Sequence, residues 1–188
     1  MGKIVVTEFV SLDGVMEDPG GSEGTRHGGW TFTYDRGPAG DKFKLDELGA
    51  ATAQLLGRAT YQGFAAAWPS MDDEFGFAKR MNSMRKYVVS STLSDGDAIW
   101  ENTVVVKPSE LTALKDRVEG TLLVAGSTQL VHTLIQRGLV DVLRLMVFPV
   151  VLGEGRKIFP DLADAARFTL TSCATTGDGV LLLEYTAK

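Results

Sequence analysis

Three apolar runs along this chain stop in the same way. Leu55-Leu56 gives way to Gly57-Arg58-Ala59-Thr60-Tyr61, Val88-Val89 to Ser90-Ser91-Thr92, and Leu122-Leu123-Val124 to Ala125-Gly126-Ser127. Each reads as an apolar strand ending in small, hydroxyl-bearing or cationic residues where a helix or loop begins. Runs of this kind alternating with helical patterns select an α/β architecture, a sheet flanked by helices. The strand ends also have a chemistry. Their backbone N–H groups and the N-terminus of the following helix favour phosphate. Three such ends in one sheet suit one dinucleotide.

The rest of the chain fits that frame. Lys3–Val10 reads as a central strand, followed by a loop to about Pro38 that carries Pro19, Gly20, Gly21, Gly24, Gly28 and Gly29. A connection well beyond ~12–15 residues is usually functional or disordered, and Trp30, Phe32 and Tyr34 near its end favour function. Helices are expected at Asp41–Thr52, Arg58–Ala66 and Asp73–Met84, and strands at Ala53–Leu56, Lys86–Ser90, Thr103–Lys107 and Thr121–Ala125. In the helix expected at 127–137, Ser127 is a fitting N-cap, Leu130, Val131, Leu134 and Ile135 form one stripe, and Gly138 closes it. Val140–Leu152 reads as one long strand interrupted by Pro149. Phe168–Thr175 and Gly179–Thr186 form a terminal hairpin across Gly177-Asp178-Gly179. The sheet is therefore mixed but mostly parallel.

Composition sets limits. At 188 residues and 44% hydrophobic, the chain suits one domain, 1–188. Lys plus Arg is 19 against 24 Asp plus Glu, with no block of like charge, so no nucleic-acid partner is expected. A single Cys173 allows no intrachain disulfide, and His27 and His132 offer no metal-ligand spacing. No run approaches a membrane span, Ile4-Val5-Val6 is too short for a signal-peptide core, and Val6 stands where a myristoylation motif has Ser or Thr. A cytoplasmic protein without bound metal is expected. Gly153-Glu154-Gly155 is not a Rossmann fingerprint, because Ile158 replaces the third glycine and no strand–helix unit follows.

The three strand ends, with Ser11-Leu12-Asp13-Gly14 before them and Pro149-Val150-Val151-Leu152-Gly153-Glu154-Gly155 after, resemble the dihydrofolate-reductase-like superfamily. The similarity is greatest to its bacterial branch related to the riboflavin-biosynthesis reductase (RibD C-terminal) domain, and runs from Lys3 to about Tyr185. The resemblance implies a three-layer fold, NADPH as cofactor, a pteridine-like or pyrimidine-like heterocycle as substrate, and a homodimer. It places Gly57, Arg58 and Thr60 at the pyrophosphate and the adenosine 2′-phosphate, and the hydroxyls of Ser90, Ser91 and Thr92 around a phosphate. Ala125, Gly126, Ser127, Thr128 and Gln129 then carry free N–H groups towards the pyrophosphate. The family has tandem glycines at this turn, in some relatives joined by a cis peptide, and this chain has Ala125 at the first.

For the chemistry, Asp13 is the acid expected to face the nicotinamide, either supplying a proton or fixing its loop. Trp30, Asp41 and Glu154 are candidate substrate contacts; the plainer alternatives are that Trp30 pins its loop and Asp41 serves the helix start. Val142, Leu143, Leu145, Met146, Val147 and Phe148 are apolar on both faces, which suggests pairing across a two-fold axis. Two rival readings stay open: a nucleotide-binding module without efficient catalysis, and a structural dimer.

Overall fold

A computed structural model describes every residue of the chain except Glu74. The strands are β1 (Lys3–Ser11), β2 (Ala53–Gly57), β3 (Arg85–Val89), β4 (Thr103–Val106), β5 (Thr121–Val124), β6 (Val142–Phe148), β7 (Phe168–Thr176) and β8 (Val180–Ala187). The helices among the described residues are α1 (Gly37–Ala50), α2 (Arg58–Ala67), α3 (Phe77–Ser83), α4 (Leu111–Arg117) and α5 (Thr128–Gln136). The strands form one eight-stranded sheet in the order β4-β3-β2-β5-β1-β6-β8-β7. The first six are parallel neighbours, and β8 and β7 add an antiparallel pair.

The direction of the connections positions the site. From β1 and β2 the chain runs towards the β4 edge, and Leu48 of α1, Tyr61 of α2 and Met81 of α3 pack together on one face. From β4 and β5 it runs back, and α4 and α5 bury Leu111, Leu114, Leu130, Val131 and Leu134 with Ile4, Val6 and Val10 of β1 on the other. The β5 connection thus leaves in the opposite direction from those of its neighbours β2 and β1. Where connections diverge in this way, a crevice opens at the carboxyl ends of the strands.

Several boundaries differ from expectation for local reasons. α1 starts at Gly37, because Pro38 can occupy a first-turn position that needs no N–H donor. α3 starts later than Asp73, whose carboxylate instead accepts the N–H groups of Phe75, Phe77 and Ala78 ahead of and within its first turn. α4 was not legible, being under two turns of helix with only Leu111 and Leu114 buried. The expected strand Val140–Leu152 shortens to β6 and is internal, paired with β1 and β8. Its two apolar faces are explained by core on both sides of the sheet, so they give no ground for pairing across a two-fold axis.

Candidate active site

The carboxyl ends of β2 and β5 meet backbone to backbone. Gly57 N donates to Gly126 O at 3.2 Å. A Cβ on Gly57 would lie 2.1 Å from Ser127 Oγ and 3.0 Å from Ser127 N, so only glycine lets the two strand ends approach. Gly126 has φ +83°, and a Cβ there would come within 2.7 Å of Thr60 Oγ1. The peptide joining Gly126 to Ser127 is cis, one residue beyond the Ala125-Gly126 bond. α2 and α5 therefore begin side by side, with Gly57 and Ser127 as N-caps and no side chain capping either helix. Their first-turn N–H groups are left for another acceptor. Thr128 is buried in this junction, Ala125 and Thr60 are half-buried, and Gln129 is exposed.

At the neighbouring end of β3, Arg58 Nη1 donates to Thr92 Oγ1 at 3.1 Å, which ties the guanidinium to the end of β3 beside the crevice. Ser91 and Thr92 are exposed. Ser90 is not an open ligand: its Oγ accepts the N–H groups of Thr92 at 3.1 Å and Leu93 at 3.0 Å and shapes the turn that presents the other two hydroxyls.

The ends of β1 and β6 carry longer excursions, held together by side chains. Asp13 accepts from Ser11 Oγ at 2.7 Å, Leu152 N at 3.1 Å and Gly153 N at 2.9 Å. These bonds stabilise the charged form, with the Ser11 hydroxyl contributing most, and hold the carboxyl at about 2. Arg156 Nε meets Glu17 Oε1 at 2.6 Å, and the same guanidinium contacts Glu23. Between these segments is a cavity of about 230 Å³ lined by Val15, Thr25, Leu152 and a polar group of Glu17, Arg26, His27 and Glu154. Glu154 Oε1 lies 3.5 Å from His27 Nε2 and 3.7 Å from Arg26 Nη1.

Two expected substrate contacts are engaged by protein partners. Trp30 is 5% exposed, donates its indole N–H to Glu17 O at 2.8 Å and packs edge-on to Phe148 at 5.4 Å, so it pins the loop and has no face free for stacking. Asp41 is exposed and pairs with Arg36 Nε at 2.6 Å, next to the start of α1.

Two buried carboxyls were missed. Glu8 on β1 accepts Gly126 N–H at 2.6 Å, and burial is the largest influence raising its pKa, to about 8. Glu47 of α1 accepts from Thr7 Oγ1 at 3.0 Å and pairs with Lys44, while its Oε2 is buried without a hydrogen-bond partner among the described residues. A sequence signal for Glu8 exists: Ile4, Val6, Glu8 and Val10 alternate along one face of β1, and a carboxyl stands where the period demands an apolar residue.

Sheet order, helix layers and the C-terminal hairpin define an α/β protein with the dihydrofolate-reductase-like fold. The chain belongs to the RibD C-terminal domain family, whose model matches residues 2–182. It is 29% identical over 188 residues to the uncharacterized protein YyaP of Bacillus subtilis, covering 97% of this chain and 94% of that one. Among solved structures, a protein provisionally assigned to riboflavin biosynthesis from Shewanella sp. PV-4 superposes with a TM-score of 0.75, 19% identity and 99% coverage of both chains. Dihydrofolate reductase from Enterococcus faecalis, complexed with NADP(H), has a TM-score of 0.58 and 18% identity, covering 99% of this chain and 96% of that one. These structures share the reductase-type fold.

Proposed function

We propose that the protein is an NADPH-dependent reductase that delivers hydride to a small pteridine-like or pyrimidine-like heterocycle in the cytoplasm. One observation carries the reading. Two uncapped helix N-termini are brought side by side by Gly57 and Gly126, with Arg58 and the hydroxyls of Ser91 and Thr92 beside them. That donor set suits a chain of phosphates: N–H groups for the pyrophosphate, and a planar guanidinium for the extra 2′-phosphate. The family membership and the NADP(H) complex of a structural neighbour support it.

The cofactor supplies the hydride when bound; the protein binds, orients and excludes water. Arg58, Ser91 and Thr92 grip the 2′-phosphate, Thr60 and residues 126–129 the pyrophosphate. The cavity between the β1 and β6 loops receives the substrate, where Glu154, Arg26 and His27 offer acceptors and donors to a heterocycle's ring nitrogens and amino groups. Asp13 is a positioning residue: a carboxyl at about 2 is ionised at neutral pH and engaged by three donors, so it holds the two loops together instead of supplying a proton. That same engagement favours the binding module as the second reading.

Calorimetry tests the cofactor reading that both alternatives share. A charge-assisted hydrogen bond contributes about 1.5–3 kcal/mol, so NADPH should bind at least about tenfold more tightly than NADH, with most of the preference erased in Arg58→Ala. Equal affinities for the two nucleotides would refute the reading. NADPH oxidation screened against dihydropteridines, aminopyrimidines and small carbonyl compounds distinguishes reductase from binding module. We further propose a homodimer formed through the exposed edge strand β7, where Leu170 is 50% exposed; light scattering checks it.

A further inference from the structure

The crevice rests on a side chain that none of the expected contacts includes. β1 outruns its neighbour: its pairing with β5 stops at Val6 opposite Val124, and Glu8 lies beyond, where the β5–α5 turn passes. Its Oε1 takes the Gly126 N–H at 2.6 Å, and the carbonyl of that same Gly126 takes the N–H of Gly57. One carboxyl thus fixes the turn that sets the spacing of both helix N-termini.

We propose that Glu8 is a positioning residue for the dinucleotide and makes its binding proton-linked: the neutral carboxyl holds the Gly126–Ser127 turn, and ionisation places a charge behind the phosphates and weakens their hold. The inference rests on the cofactor reading above. Either form of the carboxyl can accept the Gly126 N–H, so the turn keeps its anchor when the proton leaves. What changes is the field. A buried negative charge behind a turn that would hold phosphates is poorly screened. The surroundings favour its neutral form. β6 presents Leu145 opposite it, and the buried face of α5 carries no charge. Lys44 and Glu47 of α1 act on it in opposite directions, and burial outweighs both, raising the carboxyl to about 8. On ionisation the proton goes to solvent, so binding at alkaline pH must take one back up.

The experiment is NADPH titration calorimetry of the unmodified protein, Glu8→Gln and Glu8→Ala at about pH 7 and about pH 9.5, where the 2′-phosphate, with its second pKa near 6, keeps its charge. The unmodified protein should lose affinity several-fold across this range, about sevenfold if binding raises the carboxyl by one unit. Near pH 8.5, runs in buffers of different ionisation enthalpy should show proton uptake on binding. Glu8→Gln, a neutral acceptor, should remove both the pH dependence and the uptake, whereas Glu8→Ala should bind at least about tenfold more weakly at pH 7 because Gly126 N–H loses its partner. In the free protein, the Gly126 amide resonance should titrate with a midpoint near 8, a readout that needs no variant to fold. NADPH binding with the same pH dependence in the unmodified protein and Glu8→Gln, or an amide that does not titrate between about pH 6 and 10, overturns the proposal. If the unmodified protein binds no NADPH at any pH, the cofactor reading falls and takes the proposal with it.

Discussion

The two halves of the crevice are built from different materials. At the ends of β2 and β5 the chain passes into a helix within a few residues, and the geometry is set largely by backbone: two glycines with no room for a Cβ, two adjacent helix starts and one peptide hydrogen bond, with the Glu8 carboxyl anchoring the turn from β1. At the ends of β1 and β6 the excursions are long, and their shape is held by side chains that meet from far apart in sequence. Examples are Asp13 with the N–H groups of Leu152 and Gly153, Arg156 with Glu17, and Trp30 with Phe148. A ligand with an invariant part and a variable part suits such a division. Backbone N–H groups serve any dinucleotide, and side-chain loops can be altered without disturbing them.

The largest expected effect attacks the loop half. Trp30→Ala removes a buried indole, its hydrogen bond and its edge contact with Phe148, and should cost about 3–5 kcal/mol of stability. If the halves are independent, NADPH affinity measured well below the melting temperature should change by less than about twofold. A parallel collapse of affinity would break the comparison.

Gly57→Ala attacks the other half. Its φ is −74°, which any residue adopts, so the effect is one of contact: the new methyl drives β2 away from Ser127. Overpacking of this kind costs about 1–3 kcal/mol, equivalent to about ten- to a hundredfold in affinity if it falls on the binding geometry. Calorimetry should show that loss with the loop cavity unaltered, and unchanged affinity would mean that the strand ends are not the site.

Asp13→Asn should have the smallest effect. Asn can still accept from Leu152 N or Ser11 but presents an amide N–H group to one of the three donors, so turnover on a competent substrate should fall by less than about tenfold; a loss of about 10²–10⁴-fold would restore the direct proton role. The pH dependence follows from its lowered pKa. The contribution of Asp13 to stability is present above the ordinary carboxylate value of 3.8 and is lost as pH falls through about 2, so acid unfolding of Asp13→Asn should be less steep over that window. Far-ultraviolet circular dichroism across the acid limb would reveal it.

What was legible in the sequence follows the same division. Local signals placed β2 with α2 and β5 with α5, because an apolar run ending in Gly57-Arg58 or Gly126-Ser127 encodes strand, turn and helix start within a few residues. Ser90 looks in sequence like one of three equivalent phosphate hydroxyls, but its Oγ accepts two nearby N–H groups and builds the turn. The roles of Trp30 and Asp41 were not readable. Whether an indole stacks on a ligand or on Phe148 depends on a partner more than a hundred positions away, and Asp41 is engaged by Arg36. β6 misled because apolar residues on both faces look alike in an internal strand and in one awaiting a second subunit. Glu8 was visible as a break in period and was passed over amid the apolar run that surrounds it.

The central claim is that the converging carboxyl ends of β2, β3 and β5 hold the dinucleotide. A crystal structure of the protein soaked with NADPH tests it most directly. The account requires the pyrophosphate to lie against the N–H groups of residues 58–60 and 127–129, the 2′-phosphate beside Arg58 and Thr92, and the nicotinamide directed towards the loops that follow β1 and β6. A dinucleotide bound elsewhere, or phosphates turned away from Gly57 and Gly126, would contradict it.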